Sequence, residues 1–259
     1  MITIKKPEHF ERMARAGMAV AAVHRAVRRA AKPGVTTHQL DMIAAGVLKE
    51  HGCVPSFLNY HGFPATICTS PNDVIVHGIP NDVPLQEGDV LSVDAGAIFE
   101  RYHADAAITF GVGTVTTEVR QLIDTTEEAM WAGIKAVEAG ARIGDIGAAV
   151  QAVGDRHGYG IVQEYVGHGI GLNMHEKPNV PNFGRAGSGM KLREGMAICI
   201  EPMFNMGTHE TFVEDDQWTV RTADGSMSAH WEHTVALTPD GVRVLTAQPE
   251  LQADLWGTG

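Results

Sequence analysis

VLSVDAGAIFERYHADAAITF, residues 90–110, decides the fold. Its first ten residues alternate. Ser92, Asp94 and Gly96 fall on one face and Leu91, Val93 and Ala95 on the other, the period of a strand with one side against a core. Ala104 to Phe110 keeps the same apolar character and is predicted to be its partner. Two residues do not suit such a pair: Asp94 and Asp105. A lone carboxylate among apolar strand residues is costly unless it is paired or meets a cation. A hairpin with an even-membered turn near Phe99-Glu100 sets the two opposite each other, about 5 Å apart at Cβ. A divalent cation between them resolves the repulsion.

Two further acids are placed in the same way. Glu201 follows the apolar run AICI and precedes Pro202, and Glu232 stands in HWEHTVALT just before another apolar strand. His168, in GHGIGLNMHEKP (167–178), is a fifth candidate ligand. An oxygen-rich set with one imidazole suits Mn²⁺, Fe²⁺, Co²⁺ or Zn²⁺, whereas all-oxygen cages suit Ca²⁺ or Mg²⁺. Four carboxylates and a histidine are too many for one catalytic cation that keeps an open position. They are about right for two cations roughly 3.5–4 Å apart, which lower the pKa of a shared water and clamp a tetrahedral intermediate. The glycines around His168 are expected to let the backbone approach whatever His168 and His175 touch.

Outside the strands the chain reads as paired helices. Residues 7–31 have helical periodicity, and Thr36 with Gln39 forms a capping box that opens a second helix ending at His51-Gly52. Residues 116–138 and a helix from Ile143 to His157-Gly158 repeat the plan. Gly34 and Gly140 share an offset of 106 with His51 and His157, while Asp94 falls on Glu201 at 107. Val74–Val76, Ile198–Ile200 and Thr234–Leu237 are the other expected strands, and 78–89, 176–195 and 205–217 the expected loops. The expectation is an α+β chain, 1–259, forming a single catalytic domain from two half-repeats, about 5–112 and 113–246.

Composition narrows the function. A net charge of −11 argues against specific nucleic-acid binding as the main task. No apolar run approaches the roughly 18 residues of a membrane span. The N-terminus turns amphipathic at once, without a secretory apolar block. Cys53, Cys68 and Cys199 are too scattered for a zinc knuckle or a disulfide scaffold. The expected location is cytoplasmic.

Seven motifs then carry a resemblance: YHGFPATICTS (60–70), VIVHGIP (74–80), SVDAG (92–96), HADAAITF (103–110), GHGIGLNMHEKP, IEPMF (200–204) and SAHWEHT (228–234). In order and spacing, from about residue 5 to 246, the chain closely resembles the type I methionine aminopeptidases of the pita-bread metallopeptidases. The resemblance implies two pseudo-twofold-related halves, a curved, mainly antiparallel sheet with helices outside, and two divalent metal ions in the concave centre. It places their ligands at Asp94, Asp105, His168, Glu201 and Glu232. Glu201 would carry a proton from water to the leaving amine. His175 would hydrogen-bond the scissile carbonyl, and His77 would contact the scissile amide nitrogen. Tyr60, Phe63, Cys68, His77, His175 and Trp218 would receive the substrate. Phe63 stands where tyrosine is frequent in the family, and Phe57 where a smaller residue is common. The implied activity is removal of N-terminal methionine ahead of a small second residue. Its partners would be Met-peptides and nascent chains at the ribosome, and the enzyme a monomer. A proline-specific peptidase of the same fold and a non-catalytic binding protein of that fold are the alternatives.

Overall fold

The computed structural model describes residues 2–247; Met1 and 248–259, the ends of the range assigned to the single domain, lie outside the described residues. In chain order the elements are α1 (Pro7–Ala30), α2 (Thr37–Glu50), β1 (Val54–Pro55), β2 (Cys68–Pro71), β3 (Val74–Val76), β4 (Val90–Phe99) and β5 (Tyr102–Gly111). Then follow α3 (Thr117–Lys135), α4 (Ile143–His157), β6 (Gly160–Ile161), β7 (Gly167–Gly169), β8 (Glu176–Val180), β9 (Ala197–Ile200) and β10 (Met203–Asn205). The last are β11 (Thr211–Val213), β12 (Val220–Thr222), β13 (Ser228–His230), β14 (Glu232–Thr238) and β15 (Gly241–Val244). Among the described residues no helix is long and apolar enough to cross a membrane.

The helix ends form where the sequence signals them. Pro7 opens α1 at a position where its missing N–H is no loss. The Thr36 hydroxyl accepts from Gln39 N at 3.2 Å while Thr36 N donates to Gln39 Oε1 at 3.0 Å, the reciprocal capping box. Gly158, at φ 70°, ends α4 in the left-handed region.

The main sheet runs β1-β4-β5-β14-β9-β7-β8, with β2 also on β4 and β15 on β14. Its centre is the antiparallel pair β5–β14, flanked by β4 and β9. β5 and β14 share only two Cα pairs, Glu232 with Ala107 and His233 with Ala106. Beyond them the Thr234 hydroxyl replaces the ladder, accepting from Asp105 N at 3.0 Å and donating to Asp105 O at 2.8 Å. The strands splay there, and the sheet curves.

The helices cover the convex face. Leu91, Val93, Ala95, Ala104 and Ala106 meet Val20, Val23 and Val27 of α1 and Leu40, Ala44 and Leu48 of α2 in one cluster. Ile198, Ile200, Val235 and Leu237 meet Met130 and Ile134 of α3 and Ile143 and Ile146 of α4 in another. Each fully buried valine, leucine, isoleucine or methionine among them contributes about 1.5–3 kcal/mol. The alternate residues of the same strands are thereby forced onto the concave face.

Two expectations need correction. The β4–β5 register pairs Phe99 with Tyr102, Gly96 with Asp105 and Asp94 with Ala107. The turn is therefore centred on Glu100-Arg101, both at positive φ, as a two-residue hairpin turn matching strand twist requires. Asp94 and Asp105 share a face as diagonal neighbours, not as an opposed pair. In addition, the expected loops hold strands: β8 within 176–195, β11 within 205–217, and the end of β10 at its margin. β8, EKPNV, lies on the sheet edge, where Pro178 is tolerated and Lys177 and Asn179 face outward. Such a strand has no apolar run for the eye to find.

Candidate active site

The concave face collects the acids by register. Asp94 opposes Ala107 across one ladder and Glu232 opposes Ala107 across the next, with Asp105 two residues back on the same face. Glu201 follows β9 directly and shares the face of Cys199, which pairs with Thr234 of β14. Asp94, Asp105, His168, Glu201 and Glu232 all line one cavity of about 140 Å³. Ligand atoms of Asp105, His168 and Glu232 lie within 4.8 Å of one another, as do those of Glu201 and Glu232 with His230. His168 Nε2 is 3.5 Å from Glu201 Oε1.

This cluster is electrostatically incomplete. Asp94 Oδ1, Asp105 Oδ1 and Glu232 Oε1 are buried without any hydrogen-bond partner. Burial raises the pKa of all four acids. Asp94 reaches about 7. Glu232 and Asp94 push Asp105 further up, Asp105 and Asp94 do so for Glu201, and Glu201 and Asp94 for Glu232. His168, driven to about 3 mainly by burial, is neutral. Its Nδ1 sits 2.9 Å from Gly169 O; with the proton donated there, Nε2 keeps a bare lone pair toward the acids. Orphaned carboxylate oxygens and an aimed imidazole lone pair are what divalent cations with mixed oxygen and nitrogen ligation need. The residues fit such cations. Cys199 also falls within reach, but burial and the nearby acids raise its thiol, and a neutral thiol is a weak ligand.

The other end of the cavity is apolar. Phe63 packs edge-on against Trp218 at 5.1 Å and against Phe57 at 6.5 Å. Cys68, paired with Asp94 across β2–β4, and Met174 complete the wall. β12 pairs with β3, carrying Trp218 to within 6.3 Å of His77. His77 is held at φ 60°, a left-handed conformation rare for a residue with a Cβ. Gly78 must follow, because a Cβ there would lie 2.2 Å from Thr69 O. His77 has its pKa lowered to about 4 by burial and then by His175. His175 stands at the mouth, its ring 4.2 Å from that of His168 and its Nδ1 2.8 Å from Tyr60 Oη. All eleven positions expected from the sequence thus line one cavity.

The sequence reading missed residues there too. His61 and Met174 also line the cavity, beside Phe57, which the sequence had marked as bulkier than the residue common in the family. His230 sits behind Glu201, and its place two residues before Glu232 on an extended segment was a usable signal. The glycines of GHGIG serve a different purpose from the expected one. A Cβ on Gly167 would lie 2.3 Å from Cys199 O, and one on Gly169 2.4 Å from Lys177 O. They let β7 press between its neighbours and so seat His168; the space they vacate is taken by backbone, not substrate. Gly167→Ala is therefore expected to lose about 1–3 kcal/mol of stability in urea unfolding and to weaken cation binding by shifting His168. A variant as stable as its parent would show that the strands can separate freely.

Comparison with known proteins agrees with this geometry. The profile of Metallopeptidase family M24 matches residues 11–239. Methionine aminopeptidase 1 of Mycobacterium tuberculosis is 50% identical, over 92% of this chain and 92% of its own. The crystal structure of methionine aminopeptidase from Rickettsia prowazekii superposes with a TM-score of 0.93 at 42% identity, covering 95% of this chain and all of that one. Prolidase from Pyrococcus furiosus gives a TM-score of 0.78 at 22% identity and is covered over 66% of its length, a likeness of fold alone. By profile, sequence and fold, the chain belongs to metallopeptidase family M24, alongside its methionine aminopeptidases.

Proposed function

We infer that the chain hydrolyses the first peptide bond of peptides and proteins that begin with methionine. The observation that carries this reading is the cavity itself: buried acids with orphaned oxygens at one end, a short aromatic and sulfur-lined pocket at the other, and two histidines between them. Asp94, Asp105, His168, Glu201 and Glu232 would hold two divalent cations, of Mn, Fe, Co or Zn character. When bound, these would supply Lewis acidity and a water acidic enough to attack near neutral pH.

The chain's own residues do the rest. Glu201 receives the proton of the attacking water and delivers it to the departing amine, as base and then acid. Tyr60 has its pKa raised by burial and keeps its hydroxyl hydrogen to donate to His175 Nδ1. The proton of His175 is thereby placed on Nε2, ready to donate to the scissile carbonyl oxygen as charge builds there. His77 faces the same space and contacts the scissile amide nitrogen. Phe63, Trp218 and Cys68 take the thioether side chain, with sulfur–aromatic contacts worth roughly 0.3–1.5 kcal/mol. Tyr60 and His175 crowd the mouth, which favours a small second residue.

The chain works as one catalytic domain, the half-repeat 5–112 supplying Asp94 and Asp105 and the half-repeat 113–246 supplying the other three ligands. It acts as a monomer in the cytoplasm, on nascent chains as they leave the ribosome; the nature of the substrate supports that placement.

An assay of Met-Gly-Ser-Met-Ala against an Xaa-Pro dipeptide, with Mn²⁺ or Co²⁺, tests the reading. Release of methionine only from the first is expected, and cleavage of the Xaa-Pro peptide alone would replace it with a proline-specific activity. In the same assay His175→Ala is expected to lower kcat about 10²-fold; an unchanged kcat removes His175 from the mechanism.

A further inference from the structure

His230 is the one buried imidazole beside the acids that the reaction above does not use. Its side chain is 2% exposed. Its backbone is clamped on both sides, N donating to Thr109 Oγ1 at 2.9 Å and O accepting from Thr109 Oγ1 at 2.7 Å. The β10–β13 register sets it opposite Met203, two residues beyond Glu201. Thus strand pairing, not a flexible side chain, brings Nε2 to 3.7 Å from Glu201 Oε2. That Nε2 has no hydrogen-bond partner, and among the described residues no other donor sits on Oε2.

We propose that His230 is a positioning residue that donates its Nε2 hydrogen to Glu201 Oε2 and so fixes which oxygen of Glu201 faces the reaction. The two imidazoles flanking Glu201 differ in one respect that matters. The Nδ1 of His168 is engaged by Gly169 O, which leaves its Nε2 unprotonated and fit to ligate a cation. In the described structure no carbonyl accepts from His230 Nδ1, so its proton is free to reside on Nε2. A closure of about 0.5 Å brings 3.7 Å within the range of an N–H···O bond. With Oε2 held from behind, the carboxylate cannot rotate, and Oε1 stays on the His168 side, where the cations and the attacking water would be. The inference rests on Glu201 being the proton carrier.

A pair of substitutions of matched shape tests it. Glutamine keeps an N–H donor at this position, and methionine keeps the length without one. His230→Gln is expected to hold kcat within about threefold of the parent and His230→Met to lower it about tenfold or more, with KM unchanged in both. Titration of the metal-free proteins with Mn²⁺ or Co²⁺ by calorimetry is expected to give the parent's stoichiometry and affinity for both variants. In a long-range ¹H–¹⁵N spectrum of the zinc-loaded parent, the His230 ring is expected as the Nε2–H tautomer. Equal kcat in both variants, tenfold weaker cation binding in both, or a cation-bound Nε2 without hydrogen would each overturn the proposal, the last two making His230 a ligand instead. Thermal melts show whether the methionine variant folds; if it does not, the tautomer still decides. A parent that cleaves Met-peptides while His230→Met is unimpaired removes only His230's role. A parent inactive on Met-peptides with the expected tautomer intact removes the functional reading alone.

Discussion

Glu201→Gln is expected to leave the protein folded and lower kcat for a Met-peptide by about 10²–10⁴-fold. Glutamine matches the shape and keeps a carbonyl oxygen toward His168 Nε2, 3.5 Å from Oε1 in the parent, but it cannot accept and return a proton. Cation affinity is expected to fall as well, because a neutral oxygen replaces an anionic one; turnover at saturating Mn²⁺ therefore has to be compared with metal content measured on the same sample. One accompanying effect separates lost chemistry from a damaged fold. Asp105 and Asp94 both raise the pKa of Glu201, so in the metal-free protein its charge is disfavoured by its neighbours. Removing it should leave the metal-free variant at pH 8 at least as stable as the parent. A variant with kcat within tenfold of the parent, at full metal content, would falsify the assignment of Glu201 as proton carrier.

Much of this site was legible before any coordinates, because its cause is local and chemical. Asp94 and Asp105 interrupt apolar strands, and only a cation or a partner makes such interruptions stable. Glu201 and Glu232 stand at the borders of runs whose alternate residues are apolar. Register was the part that sequence parity could not settle: an odd separation puts Asp94 and Asp105 on one face, but the choice between a turn at Phe99-Glu100 and one at Glu100-Arg101 rests on which residues adopt positive φ. Here Glu100 and Arg101 do, without the asparagine or glycine that usually announces it. β8 escaped notice because an edge strand with outward Lys177 and Asn179 has the composition of a loop. The roles of Gly167 and Gly169 were misjudged for another reason. A glycine states that something comes close, but only the packed strands say that it is the carbonyls of Cys199 and Lys177. His230 was passed over because its meaning depends on the β10–β13 pairing, a contact between segments more than twenty residues apart.

The electrostatics of the acid cluster lead to a second large effect, on stability. Metal-free protein is expected to become less stable as pH rises from about 6.5 to 8.5, opposite to the usual behaviour of a protein with paired carboxylates. The folded pKa of Asp94 is raised to about 7, and those of Asp105, Glu201 and Glu232 are raised as well, whereas in the unfolded chain all four ionise near pH 4. In this window the folded state therefore holds more protons than the unfolded state, and stability falls by about 1.4 kcal/mol per pH unit for each proton in excess. Below about pH 6.5 the trend reverses. His24, His77 and His103 have pKa values lowered to about 4, and His168, His230 and His233 to about 3, chiefly by burial. There the unfolded chain takes up the additional protons. The metal-free maximum should accordingly lie near pH 6.5, with the melting temperature dropping about 2–5 °C per unit above it for one excess proton. Saturating Mn²⁺ or Co²⁺ should abolish that drop, because bound cations hold the carboxylates ionised, and the stabilisation they give should grow with pH. Melting curves with chelator and with metal at pH 6.5, 7.5 and 8.5 measure both limbs. Parallel curves at all three values would mean that the four acids are neutralised by something other than cations.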